Sequence, residues 1–107
     1  MGTRSQTVAH LVDALSALPL SARKMFGEYA LYLDGKVVAL VCDDQLFLKP
    51  TPGAERALPG CKTGHPYPGA KQHLLVTDAL DDPDPVIAAL KAIAADLPPP
   101  KPKKPRI

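Results

Sequence analysis

The chain has 107 residues, of which 46% are hydrophobic and 22% charged, with a formal net charge of +2. A chain of this length forms one domain able to bury roughly 60–70% of the surface its unfolded form exposes, so neither a metal nor a disulfide is required to hold it together. The longest apolar run, Val37 to Cys42, falls far short of the roughly 20 residues that span a bilayer, which excludes a transmembrane helix. Charge is unevenly placed. Of 13 basic side chains, Lys101, Lys103, Lys104 and Arg106 crowd into the last residues, and the other nine are outnumbered by 11 acidic ones. A basic tail on a faintly acidic body confines any attraction for phosphate to the tail. The first ten residues lack the apolar core of a secretory signal, so a cytoplasmic protein is expected, with Cys42 and Cys61 kept as thiols.

From Ser5 to Leu18, apolar residues at Val8, Leu11, Val12, Leu15 and Leu18 fall on one stripe of a 3.6-residue period, which predicts a helix. Ser5 is the expected cap, and Pro19 cannot continue the helix without losing a hydrogen bond. Arg23 to Lys49 then carries three runs of apolar and β-branched residues, punctuated by Asp34-Gly35 and Asp43-Asp44. It reads as a three-stranded antiparallel meander that begins near Arg23 and bends or bulges at Gly27. Asp34-Gly35 favours a type I′ hairpin turn, because both of its residues tolerate positive φ. That register pairs Leu33 with Lys36, Leu31 with Val38 and Tyr29 with Leu40; a second turn at Asp43-Asp44 pairs Val41 with Leu46 and Leu40 with Phe47.

Alternation along these strands sorts the side chains into two sets. Tyr29, Leu31, Val38, Leu40 and Phe47 share one face, and Ala30, Tyr32, Val37, Ala39, Val41, Leu46 and Leu48 the other. Both faces are apolar, so each needs a cover. The second set, with alanines at its centre, suits a helix. The first, Tyr29, Leu31, Val38, Leu40 and Phe47, is the expected partner interface, for a protein partner or a second copy.

Thr51-Pro52 opens a short helix over residues 52–58, which Pro59-Gly60 stops. The Gly- and Pro-rich CKTGHPYPGAKQ reads as an ordered loop leading into a strand from Lys71 to Val76. Asp81, Asp82 or Asp84 caps a last helix with Pro85 at its first position and an apolar stripe of Val86, Ile87, Leu90, Ile93, Ala94 and Leu97. The expected architecture is therefore α+β: an antiparallel meander flanked by N- and C-terminal helices in two layers, a domain over 1–97. Residues 98–107, with proline removing donors and lysine adding repulsion, form an expected disordered basic tail.

No stretch carries a self-evident catalytic motif. Cys61 and His65 form a C-x3-H pair, but tetrahedral zinc needs three or four protein ligands, so an idle thiol beside a loop histidine is the simpler reading. Neither His10 nor His73 has an identifiable nucleophile to activate. The aspartates at 43–44 and 81–84 fit turns and helix starts for local hydrogen-bonding reasons. The glycines make neither GxxxxGK[ST] nor a GxGxxG after a strand. No cofactor or metal is expected, and no enzymatic activity.

The stretch RKMFGEYALYLDGKVVALVCDDQLFLK resembles the N-terminal domain of TfoX/Sxy-family competence regulators. The likeness rests on Arg23 with Met25-Phe26-Gly27, the Tyr29, Tyr32 and Gly35 spacing, and the Asp43-Asp44-x-Leu46-Phe47-Leu48-Lys49 run, and extends loosely over Ser5 to Leu97. It implies an α+β fold with an antiparallel sheet. Family members with a second, helical domain are linked to regulation of DNA uptake and competence genes. Two functions follow as expectations: a non-enzymatic module that associates with itself or with a regulatory protein, or a nucleic-acid accessory whose affinity comes from Lys101, Lys103, Lys104 and Arg106.

Overall fold

A computed structural model describes residues 3–25 and 27–98. The boundary expected at 97/98 and the basic residues Lys101, Lys103, Lys104 and Arg106 lie at the margin of or outside these described residues. The elements run α1 (Ser5–Ala14), β1 (Ser21–Met25), β2 (Glu28–Leu33), β3 (Lys36–Cys42), β4 (Gln45–Leu48), α2 (Pro52–Ala57), β5 (Thr63–Gly64), β6 (His73–Val76) and α3 (Pro83–Asp96). Six antiparallel strands form one sheet in the order β1-β2-β3-β4-β6-β5. The expected α+β architecture with flanking helices is therefore present.

The meander has four strands rather than three. Ser21–Met25 is a separate strand that pairs along its whole length with β2, and the chain turns at Gly27, whose φ of +81° suits a residue without Cβ. Sequence alternation is blind to β1 because every residue in it is exposed. The Asp34-Gly35 turn has the positive φ values expected of type I′, 55° and 76°, and Asp43-Asp44 adopts the same form at 52° and 59°. The Leu33–Lys36, Val41–Leu46 and Leu40–Phe47 pairings are as predicted.

Between those turns the register differs. A bulge opposite Leu31 and Tyr32 inserts Val38 as an extra residue, so Leu31 pairs with Ala39 and Tyr29 with Val41, not with Val38 and Leu40. The expected five-residue face is consequently divided. Leu31 and Val38 are fully buried beneath the helices and Tyr29 packs against the same core, whereas Leu40 and Phe47 lie on the opposite side. Ala30, Tyr32 and Val37 join Leu40 and Phe47 there, exchanging faces with Tyr29, Leu31 and Val38. The physical reason is that a bulge places two successive residues, Val38 and Ala39, on one side of the strand.

All three helices pack on that one side. Val8, Leu11, Leu15 and Leu18, Ala54 of α2, and Val86, Ala89, Leu90, Ile93 and Ala94 of α3 close over Leu31, Val38, Ala39, Val41, Leu46, Leu48, Leu74 and Val76. Helix α1 stops at Ala14 rather than Leu18, because its end tightens into i→i+3 bonds, Ser16 to Asp13 and Leu18 to Leu15, ahead of Pro19. Leu15 and Leu18 remain in the core regardless. Helix α3 starts at Pro83, two residues before Pro85, with Asp82 at the cap position. Strand β6 begins at His73 rather than Lys71 and slots between β4 and the two-residue β5.

Distant polar groups fix the helix ends. Asp44 in the β3–β4 turn accepts the Arg4 amide (2.9 Å) and the Thr7 hydroxyl (2.8 Å), so the start of α1 is held by a carboxylate forty residues away and not by Ser5. Thr51 caps α2 as predicted, accepting the Ala54 amide, and Asp96 at the end of α3 accepts the Gly53 amide at 2.8 Å. Lys36 reaches the Ala94 and Leu97 carbonyls, a cation at the negative end of α3.

Two outcomes follow. A Cβ on Gly53 would sit 2.6 Å from Asp96 Oδ2 and 2.7 Å from Ala92 Cβ. Gly53→Ala should therefore destabilise the fold by about 1–3 kcal/mol in urea unfolding, despite alanine's better helix propensity. Asp44 and Asp96 are held below the usual carboxylate range, chiefly by backbone amides of Arg4 and Gly53 respectively. A depressed folded-state pKa stabilises fully above the unfolded value of about 3.9 and loses that contribution as pH falls through the folded value. The Tm deficit of Asp44→Asn or Asp96→Asn relative to the unsubstituted protein should thus be present at pH 7 and shrink on acidification below pH 4.

Candidate functional site

With every helix of the described residues on one side, none of those residues forms a second helical layer on the other side of the sheet. The centre of that side is Ala30, Leu40 and Phe47, which lie in successive register with Arg23 on β1 and Leu75 on β6. Ala30 and Phe47 are buried, the Phe47 ring lying close against Gly64 of β5, while Tyr32, Val37, Leu40 and Leu75 are half-exposed. The Arg23 guanidinium lies 5.9 Å from the centre of the Tyr32 ring, a cation–π contact that lays both side chains across this face.

At the end of the face nearest the β3–β4 turn, the surface deepens into a cleft of about 550 Å³ lined by Met25, Glu28, Tyr29, Leu40, Cys42 and Tyr67. Tyr67 arrives from the loop between β5 and β6. That loop is closed on itself: the Ala70 amide donates to the Tyr67 carbonyl (3.0 Å) and His65 Nδ1 donates to the Ala70 carbonyl (2.9 Å). His65 is therefore a loop brace. Glu28 is positioned from two sides, with the Thr3 hydroxyl 2.6 Å from Oε1 and the Asp43 amide 3.2 Å from both carboxylate oxygens. Thr3 is itself buried, within 3.0 Å of the Val41 carbonyl, and accepts the Asp44 amide.

Both thiols are raised above their ordinary pKa. Burial is the larger cause for Cys42, followed by the Glu28 charge; for Cys61 it is burial, then Asp78. Cys61 donates to the Leu75 carbonyl at 3.4 Å and packs against the helical core, so its partner is backbone and not His65. Among the described residues, no three His, Cys, Asp or Glu side chains stand close enough to share a metal ion. A second hollow of about 450 Å³ includes Arg4, His10, Asp44 and Asp81, but its Asp44 carboxylate is already taken by Arg4 and Thr7.

Of the five residues expected to form an interface, the structure brings Leu40 and Phe47 to the open face and Tyr29 to the cleft at its end, and buries Leu31 and Val38. Arg23, Met25, Tyr32, Val37, Leu75 and Tyr67 join Leu40, Phe47 and Tyr29. The run Val37-Val38-Ala39-Leu40-Val41 carries no phase information, since all five residues are apolar, and so nothing in it marks a bulge. Raised thiols react slowly, because the thiolate is the nucleophile. At neutral pH a disulfide reagent should modify native Cys42 at least about tenfold more slowly than the denatured chain; equal rates would mean that the end of β3 opens freely.

The chain is similar to known proteins along nearly its whole length. The TfoX N-terminal domain model matches residues 13–94. A protein of Spirochaeta aurantia, described as an uncharacterized 12.7 kDa protein in the trpE 5′ region, is 41% identical over 105 residues, covering 97% of this chain and 91% of its own. No solved structure gives a significant match. No helix among the described residues is long and apolar enough to cross a membrane. With four-fifths of the sheet-and-helix framework inside the matched span, the protein belongs to the TfoX N-terminal domain family.

Proposed function

We propose that the protein is a non-enzymatic interaction module of the cytoplasm that lays the open face of its sheet against another protein surface, either a second copy or a regulatory protein. The observation that carries this reading is one-sided packing. An antiparallel sheet whose second face meets only water ordinarily alternates apolar-in and polar-out, yet here Tyr32, Val37, Leu40, Leu75 and Met25 face outward from the side that no helix of the described residues covers. Resemblance to competence regulators supports a regulatory setting. The chemistry of the side chains supports binding over catalysis, because both cysteines favour the protonated thiol and Cys61 is bonded to a carbonyl.

Leu40 is the informative position, at the middle of the face and outside the helical core. Leu40→Glu should leave the circular dichroism spectrum intact while abolishing association. Light scattering over the micromolar range, paired with affinity capture from native cell extract, compares it with the unsubstituted protein. The reading fails if the unsubstituted protein is a strict monomer and the two proteins retain the same set of partners.

A further inference from the structure

The cleft at the end of the open face has features that docking of a flat protein surface does not require. Its volume of about 550 Å³ falls within the roughly 300–1,000 Å³ typical of small-molecule sites and exceeds what one inserted side chain would fill. Among the described residues its lining is mainly apolar, with Glu28 the one charged side chain and no basic residue. Met25 and Tyr67, two of the most exposed large hydrophobic side chains at 42% and 55%, stand on this cleft.

Glu28 is held rather than left to swing. The Thr3 hydroxyl fixes Oε1, whereas Oε2 receives only a share of the Asp43 amide, so a carboxylate with about four acceptor positions keeps capacity for a further donor. No basic side chain among the described residues lies within ion-pair distance of it. Its negative charge is felt at the cleft floor, where it adds to burial in raising the Cys42 thiol. Tyrosine faces add to this preference, since the π-cloud of a ring attracts cations.

We propose that this cleft binds a small organic cation: an amine whose charged head meets Glu28 and whose aromatic or branched body fills the space lined by Met25, Leu40 and Tyr67. The carboxylate selects the sign of the ligand, and the apolar lining selects against small hydrated ions such as ammonium or sodium. Binding of this kind is independent of whether the rest of the face docks a protein.

The test uses the full chain and 2-phenylethylamine as the probe, followed by amide chemical shifts in NMR titration, with 3-phenylpropionate as the oppositely charged counterpart. A probe of this size should bind with a Kd on the order of a millimolar. Saturable shifts are expected at Glu28, Leu40, Cys42 and Tyr67, and none with the anion. Glu28→Gln, which keeps one acceptor oxygen for Thr3 and Asp43 but removes the charge, should weaken binding about tenfold. Tyr67→Ala, on an exposed loop where folding is not at stake, should weaken it several-fold. Shifts that do not saturate or that map elsewhere overturn the proposal. So does equal binding of the anion, or affinity unchanged by Tyr67→Ala or by Glu28→Gln.

Discussion

The extra residue in β3 is the constraint on which the rest of the structure depends. By turning Val38 and Ala39 to the same side, the bulge sends Leu31, Val38, Ala39 and Val41 beneath the helices and leaves Val37 and Leu40 on the opposite face. A regular ladder would have kept Leu31 and Val38 with Leu40 and Phe47. In a pleated strand a one-residue shift exchanges the two faces, so a single insertion decides which apolar residues become core and which become surface.

Polar contacts between distant parts of the chain then keep the helices on the chosen side. Asp44 holds the start of α1, Asp96 joins α3 to α2 through the Gly53 amide, and Lys36 caps the end of α3. The close approach at Gly53 leaves no room for a Cβ between α2 and α3. Exposed groups of this kind contribute modestly in energy because solvent screens them. Their value is geometric: each fixes one end of an element whose burial supplies the stability.

The opposite face of the sheet and its terminal cleft concentrate what is chemically distinctive among the described residues. Arg23 and Tyr32 lie across it, Met25 and Tyr67 stand at the cleft, and Thr3 and Asp43 orient Glu28 there. The residues that looked reactive in isolation have ordinary roles. His65 braces a loop, Cys61 bonds a carbonyl, and the paired aspartates at 43 and 44 form a tight turn, with Asp44 also serving as a helix cap supplied from outside the helix.

What the sequence determined by itself is the set of local choices. The 3.6-residue stripes placed α1 and α3, Thr51-Pro52 placed α2, and the two Asp-containing turns placed β2, β3 and β4, because periodicity and turn chemistry act within a few residues. The α+β class and the family likeness were legible for the same reason. The pairing of β1 as a strand of its own, the bulge and the exchange of faces were not. SARKM pairs through backbone bonds with little apolar signal, and an unbroken apolar run such as VVALV suits either phase of a strand. Only tertiary packing chose between those phases, by placing three helices on one side of the sheet, and that choice put Leu40, Cys42 and Phe47 on the face that a partner or ligand can reach.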